Sequence, residues 1–484
     1  MTYGLLDVVT YALLATPSLQ EAAPVPAPEV SLPVTLFFAA FLVGMILCLA
    51  FEEKLHAQKS LIVGLFAIVA LLAGAVLLPL PYGPYLIGEH EVAMPVYIPG
   101  IDWGVITIIL GASLFVDVTS RSGLFTWIAI RLTKASRGDP RKLLRYYGVM
   151  TVVFSAVLNN VTAMIIVGSL SAVSLSKLKR SDKLLGFLLI EGLLTNVGGL
   201  LTLISSVPNI IVGTAAGISF MAFFVKAAPF VLVVTIATLL LGERLFEIRG
   251  LATPEEIEEA ARLVDGFDER DGIESQSFFW FGAAMLVLFI VAIATASVTP
   301  YIEDLGMGFV ALAFAAVMLI RYKHEVDEFY RNIDWDLLAF FAALFVVISV
   351  MEHAQVLALI GHGVEALISL GPRAGTAAVL LSSAAFSSVT DNIPLAAMLA
   401  KIVAGIPMPD GGTLPPEDPL WWAVIFGANL GGNLTPIGSA STLVAVTIMR
   451  KHKVPLSFVA FVRKAFPFAA MHLALAVAWV LLGT

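Results

Sequence analysis

Four short stretches of an otherwise oily chain gather side chains able to hold a small ion. FSAVLNNVT at 154–162 supplies Asn159, Asn160 and Thr162, and TNVGGLLTLISSVPN at 195–209 supplies Asn196, Ser205, Ser206 and Asn209. FSSVTDNIP at 386–394 supplies Asp391 and Asn392, and ANLGGNLTPIGSAST at 428–442 supplies Asn429, Asn433, Thr435 and Ser439. Amides, hydroxyls and freed backbone carbonyls, with one carboxylate, suit a hard monovalent cation such as sodium, for which Asn159, Asn160, Asp391 and Asn392 are the candidate ligands. The second arm of each interrupted segment also starts at its break, and four inward helix N-termini would equally suit an anion. The residue types leave both chemistries open.

Ionisable groups inside apolar segments are functional candidates by default. Asp391 sits at a break where the corresponding residue of the first half is the neutral Asn159, so it is the first candidate to trade a proton for sodium. Glu191, one turn before Thr195 and Asn196, is the second. Asp117, near a cytoplasmic helix end, is expected to snorkel or to pair with Arg121 four residues on, and Lys226 and Lys464 to anchor helices at the interface. His353 and His362 show no metal-ligand spacing and read as structural. GxSxG, HExxH and GxxxxGK[ST] are absent, and one acidic break supplies no catalytic pair, so the chain reads as a transporter rather than an enzyme.

The elements that position these residues must lie in lipid. Of 484 residues, 59% are hydrophobic and 13% charged, and the mean hydropathy is +0.94. A soluble domain carries about 25% charged residues. The net charge of −8 gives no footprint for nucleic acid, and one cysteine, Cys48, excludes an internal disulfide framework. Apolar stretches at 34–51, 60–81, 101–118, 184–217, 227–242, 278–298, 305–320, 335–351, 420–449 and 466–483 predict ten crossings. Segments 143–175 and 374–405 are broken midway and predict re-entrant hairpins, whose irregular tips are tolerable only inside protein or beside water.

Residues 119–148 carry seven Lys and Arg and 176–183 carry four, whereas 82–100, 299–305 and 406–419 carry none. The first group is therefore expected in the cytoplasm, with both termini external. Residues 1–33 are expected as an external segment, with a signal-like stretch, a surface helix and a further span left open as alternatives.

The halves repeat one another. IDW at 101–103 recurs at 333–335, and FSAVLNN recurs as FSSVTDN, both at an offset of 232. TNVGGLL recurs as ANLGGNL one residue further on, and SFMAFFVKAAPF at 219–230 recurs as SFVAFVRKAFPF at 457–468. The loop charges give the copies opposite orientation. The expected fold is therefore an all-α polytopic membrane protein of two inverted-topology repeats, 34–245 and 277–484. Each has five transmembrane helices and one re-entrant hairpin, with helices broken at mid-membrane. Between them, 246–276 reads as an acidic cytoplasmic tether helix with Thr253 as N-cap, Pro254 in the first turn and Glu256 closing a capping box.

FSAVLNNVTAMIIVGSL, TNVGGLLTLISSVPNIIVG, FSSVTDNIPLAAMLAKI and GANLGGNLTPIGSASTLVAV resemble the arsenite permease and NhaD-type sodium/proton antiporter group of the ion transporter superfamily. The melanosomal P protein and, more distantly, the sodium-coupled dicarboxylate carriers are related to that group, and the resemblance covers about 100–483. It implies a homodimer in the lipid bilayer whose transport parts move elevator-fashion, with sodium or protons as coupling ion and no cofactor. It carries ion and substrate binding to Asn159, Asn160, Thr162, Asn196, Ser206, Asn209, Asp391, Asn392, Asn433, Thr435 and Ser439. The chain departs in having Asn159-Asn160 where many antiporter-like members read Asp-Asn, and in lacking at both tips the Ser-Asn-Thr of the dicarboxylate carriers. LTPIGS at 434–439 is closest to the arsenite permeases and TDNIPL at 390–395 to the antiporters. The leading expectation is secondary active transport of a small inorganic ion in a bacterial-type inner membrane. Sodium/proton antiport stands ahead of arsenite or antimonite efflux, with carboxylate carriage and a channel as alternatives.

Overall fold

A computed structural model describes residues 30–80, 83–87, 90–95, 97–270, 272–406, 413–454 and 456–482. The expected N-terminal segment lies almost wholly outside them. The first half comprises α1 (Leu32–Ala50), α2 (Lys59–Leu77), strands β1 (Gly83–Ile87) and β2 (His90–Met94), α3 (Trp103–Ser120), α4 (Leu124–Ser136), α5 (Pro140–Val157), α6 (Asn160–Lys177), α7 (Leu184–Gly198), α8 (Val207–Ala215) and α9 (Phe220–Leu245). After α10 (Pro254–Asp265) follow α11 (Gln276–Thr295), α12 (Ile302–Ile320), α13 (Trp335–His353), α14 (Val356–Ile368), α15 (Pro372–Ser387), α16 (Asn392–Ala404), α17 (Pro419–Gly431), α18 (Ala440–Lys451) and α19 (Phe458–Leu481). Among the described residues the regular structure is helical apart from the antiparallel pair β1–β2, with Gly83 opposite Met94.

Among the described residues nine helices are long and apolar enough to cross a membrane: α1, α2, α3, α6, α9, α11, α12, α13 and α19. The two stretches expected as single crossings, 184–217 and 420–449, are each split into a pair of short helices, α7 with α8 and α17 with α18. Gly-Gly followed by Ser-x-Pro in the first, and by Thr-Pro in the second, ends one helix and starts another. Apolar side chains such as Leu61, Leu65, Leu72 and Val76 give α2 an exposed apolar face, as a helix in a bilayer carries.

Partners are exchanged between the halves. Helix α2 packs on α13 and α12 packs on α3, while α6 lies against α18 and α16 against α8. The contact of α3 with α12 is close enough that a Cβ on Gly111 would stand 2.5 Å from the Leu312 nitrogen. Helices α7 and α17 form the centre, with nearly every residue buried.

The acidic segment is more than a tether. Its capping box forms, with Glu256 accepting from the backbone nitrogens of Ala252 and Thr253, and these bonds, with Arg180, hold the Glu256 carboxyl below its ordinary pKa. Glu259 pairs with Lys179 at 2.8 Å and Glu269 with Arg131 at 3.2 Å, and both carboxyls are likewise lowered, first by those hydrogen bonds. Lys177 lies over the Phe267 ring at 4.4 Å. These carboxylates are therefore docked on the basic turn that follows α6 and on Arg131 of α4. Asp117 also departs from expectation: Arg121 reaches Glu328 at 2.6 Å, a bond that raises its pKa, while Asp117 accepts from Asn332 at 3.4 Å.

Candidate functional site

Each hairpin turns at an extended polar residue that caps its second arm; at the first tip Leu158 is extended as well. Asn159 caps α6 by accepting from the Thr162 nitrogen at 2.8 Å, and Asp391 caps α16 by accepting from the Ile393 nitrogen at 3.1 Å. The carbonyls freed at the ends of α5 and α15 need donors, and hydroxyls in the breaks supply them. Thr202 donates to Ala156 O at 2.6 Å and Thr435 to Ser388 O at 2.5 Å. In the same way Ser155 reaches Thr195 O at 2.6 Å and Ser387 reaches Ala428 O at 2.5 Å. Each hairpin is thus bound to the broken helix of its own half by two matching bonds.

The halves are joined by a crossed pair of bonds. Asn196 donates to Ser439 Oγ at 2.8 Å, and Ser206 donates to Asn429 Oδ1 at 2.7 Å, so the end of each central helix meets the restart of the other half's broken helix. Around Asn196 stand Asn433, whose Oδ1 accepts at 2.8 Å, Ser441, which donates to Asn196 Oδ1 at 2.9 Å, and Asn160, which donates to the same oxygen at 3.4 Å. Around Asn429 stands Asn209, whose oxygen accepts at 2.9 Å and whose nitrogen donates to the carbonyls of Gly199 and Thr202 at 2.6 and 2.9 Å. Ser205 Oγ lies 2.7 Å from Gly199 O and 2.8 Å from Thr202 O, so it ties the break to itself. Ser439 also caps α18, whereas Ser206 turns its hydroxyl to Asn429 and does not cap α8.

The glycines serve close approach rather than unusual dihedrals, since none of those in the breaks has a positive φ. A Cβ on Gly199 would stand 2.7 Å from Asn160 Oδ1, and one on Gly431 would stand 2.3 Å from the Ala384 carbonyl oxygen.

The tip residues are not gathered into one cage. Asn159 is exposed, Thr162 and Asn392 are half-buried, and only Asn160 reaches the amide cluster. Asp391, expected to join Asn429, Asn433, Thr435 and Ser439, is bound instead to Lys59 of α2, with Oδ2 2.6 Å from Nζ. Nothing in the sequence singles out Lys59 for that role. Glu191 is fully buried on α7; Ser171 of α6 donates to its Oε1, while Oε2 has no hydrogen-bond partner. Leaving a polar atom so costs about 1–3 kcal/mol.

Other members escaped sequence reading. Ser155 and Ser387 repeat at the offset of the motifs and were legible as a pair. His472 and Thr238 were not: His472 Nε2 lies 2.7 Å from Thr238 Oγ1, and its Nδ1 lies 3.2 Å from Asn433 Nδ2.

Comparison with known proteins gives concordant relations. The model of the CitMHS family, described as citrate transporter, matches residues 46–427. An uncharacterised transporter of Mycobacterium tuberculosis is 32% identical over 411 residues, 84% of this chain and 91% of that protein. The human P protein is 25% identical, covering 96% of this chain and 63% of its own length. The YdaH transporter of Alcanivorax borkumensis shares the fold with a TM-score of 0.52 at 14% identity, covering 88% of this chain and 98% of that one. MtrF of Neisseria gonorrhoeae, described within a class of antimetabolite efflux pumps, has a TM-score of 0.56 at 16% identity over 88% and 94%.

Proposed function

The chain belongs to the CitMHS citrate transporter family, an integral membrane transporter, and from that premise we propose that it is a secondary active carrier of a small carboxylate anion. The observation that carries this reading is the direction of the bonds around Asn196. Both its N–H groups are used, on Asn433 Oδ1 and Ser439 Oγ, and its oxygen receives from Asn160 and Ser441. The second N–H of Asn160, a half-buried residue, is then left as a donor for a ligand beside the N-termini of α6 and α18, while the Ser439 hydroxyl is taken up by Thr442 Oγ1 and Ser441 Oγ at 3.0 and 3.1 Å. Donors and helix N-termini attract an anion. The sodium reading loses its only carboxylate at a tip, because Asp391 is held by Lys59.

Alternating access about the crossed pair belongs to the same proposal. The exchange of partners, α2 on α13 for α12 on α3 and α6 on α18 for α16 on α8, is what a pseudo-two-fold axis between inverted repeats produces. An elevator-type movement of the hairpins, a homodimeric scaffold and external termini in an inner membrane complete it.

Labelled citrate uptake into liposomes holding the purified protein tests the reading. Gradient-driven uptake that Asn196→Ala reduces is expected; absence of citrate uptake under imposed proton and sodium gradients alike would sink it. Glu191 favours a second reading, sodium/proton antiport, because a buried carboxylate with an unpartnered oxygen is placed to carry a proton. Sodium-driven proton movement without citrate, lost in Glu191→Gln, would put that reading first.

A further inference from the structure

His472 and Asn433 break the symmetry of the repeat. At the offsets that align the halves, Asn433 corresponds to Leu200 and His472 to Val234. One half therefore carries two buried polar groups where the other carries aliphatic ones, and both are fully enclosed.

Their hydrogen bonds have a single consistent direction, fixed by two backbone carbonyls that can only accept. Thr238 Oγ1 lies 2.7 Å from Val234 O, so its one hydrogen is used there and its oxygen must accept from His472 Nε2. With the proton on Nε2, Nδ1 is an acceptor. At the other end, Asn433 Nδ2 lies 3.3 Å from Leu193 O, which requires the amide nitrogen on that side and so directs its second N–H at Nδ1. Asn433 Oδ1 is thereby turned to Asn196, whose nitrogen must donate and whose oxygen must face Asn160 and Ser441.

We propose that His472, held in its Nε2–H tautomer by Thr238, is the positioning residue that fixes the amides of Asn433 and Asn196, so that the Asn196 oxygen faces Asn160 and holds the Asn160 amide with its nitrogen inward and a second N–H for the substrate. It touches no ligand itself. With the proton on Nδ1, the imidazole would face the Asn433 nitrogen with a hydrogen; turning both amides over would set the Asn433 oxygen against Leu193 O and the Asn196 nitrogen against the Asn160 nitrogen, and so turn the Asn160 amide too. The inference rests on the carboxylate reading for its consequence, but the tautomer can be measured without any substrate.

Side-chain nitrogen NMR of protein labelled at histidine is expected to show His472 protonated at Nε2 only; protonation at Nδ1 overturns the proposal whatever is transported. In citrate uptake, His472→Leu is expected to raise KM at least about tenfold with kcat changed far less, the pattern of lost binding rather than lost movement. His472→Asn, whose Oδ1 stands near the place of Nδ1 and can accept from Asn433, is expected to recover most of that loss. An equal fall in kcat for both variants, or an unchanged KM in His472→Leu, overturns it. Thr238→Val tests the same relay without touching the imidazole and is expected to yield a mixture of tautomers with a raised KM; a pure Nε2–H signal with an unchanged KM overturns the role given to Thr238. Wild-type protein that shows the Nε2–H signal yet carries no citrate sinks the carboxylate reading and leaves the relay standing.

Discussion

Asn196 and Ser439, 243 residues apart in the chain, are joined at 2.8 Å across the two halves, and Ser206 and Asn429 are joined in the reverse sense at 2.7 Å. Each bond ties the end of one central helix to the restart of the other broken helix. Replacing Asn196 by Ala leaves Asn433 Oδ1 and the hydroxyls of Ser439 and Ser441 without that partner. A stability loss of about 1–3 kcal/mol is expected for each buried group left unsatisfied, together with at least about a tenfold fall in uptake. Thermal unfolding in detergent and vesicle uptake measure the two. Unchanged uptake in a folded Asn196→Ala protein would remove the amide from the site.

The Lys59–Asp391 pair separates a structural from a proton-carrying aspartate. Its side chains are 31% and 17% exposed, so solvent weakens the attraction and a single removal is expected to cost about 1 kcal/mol. If the pair serves only to fix the hairpin tip on α2, Asp391→Asn, which keeps an oxygen to cap α16, and Lys59→Met should reduce transport alike. Loss of proton-linked transport in Asp391→Asn but not in Lys59→Met would return Asp391 to the role its position first suggested.

Two glycines are expected to fail differently as alanine. A Cβ on Gly431 would meet a backbone oxygen at 2.3 Å, which cannot give way without moving α15, and overpacking of this kind costs about 1–3 kcal/mol. On Gly199 it would meet the Asn160 side chain at 2.7 Å, which can rotate. Gly431→Ala should therefore lower the unfolding temperature, whereas Gly199→Ala should keep stability and lose uptake through a displaced Asn160. Equal destabilisation by both would show that Asn160 is not free to move.

The linker should detach in acid and hold in base. Glu256, Glu259 and Glu269 have folded pKa values below the unfolded ones, so their contribution is complete above the ordinary glutamate value of about 4.3 and fades as pH falls through the lowered values. Protease cleavage within 254–270 should therefore be slow at pH 7 and quicken in acid or in high salt, and Glu259→Gln should quicken it at pH 7. Cleavage independent of pH and salt would mean that the ion pairs do not hold the linker.

What could be read without coordinates was whatever repeats or partitions. Hydropathy placed eight of the ten expected crossings on long apolar helices, because lipid selects for apolar length, but could not see that 184–217 and 420–449 are each split in two; the capping box of α10 was legible because its partners are three residues apart. The recurrence of FSxV, Asn-x-Gly-Gly and Ser-Phe-x-Ala-Phe marked the segments that carry Asn160, Asn196, Asn429 and Ser439. Periodicity and motif could not say which amide meets which hydroxyl, since Asn196 and Ser439 are brought together only by the crossing of α7 with α18. Nor could they show that Asp391 is neutralised, because Lys59 lies 332 residues away on a helix whose sequence reads as a plain membrane span. His472 carried no local signal at all. Its meaning comes from the carbonyls of Val234 and Leu193, which belong to the other half and orient a relay only once the two halves are packed.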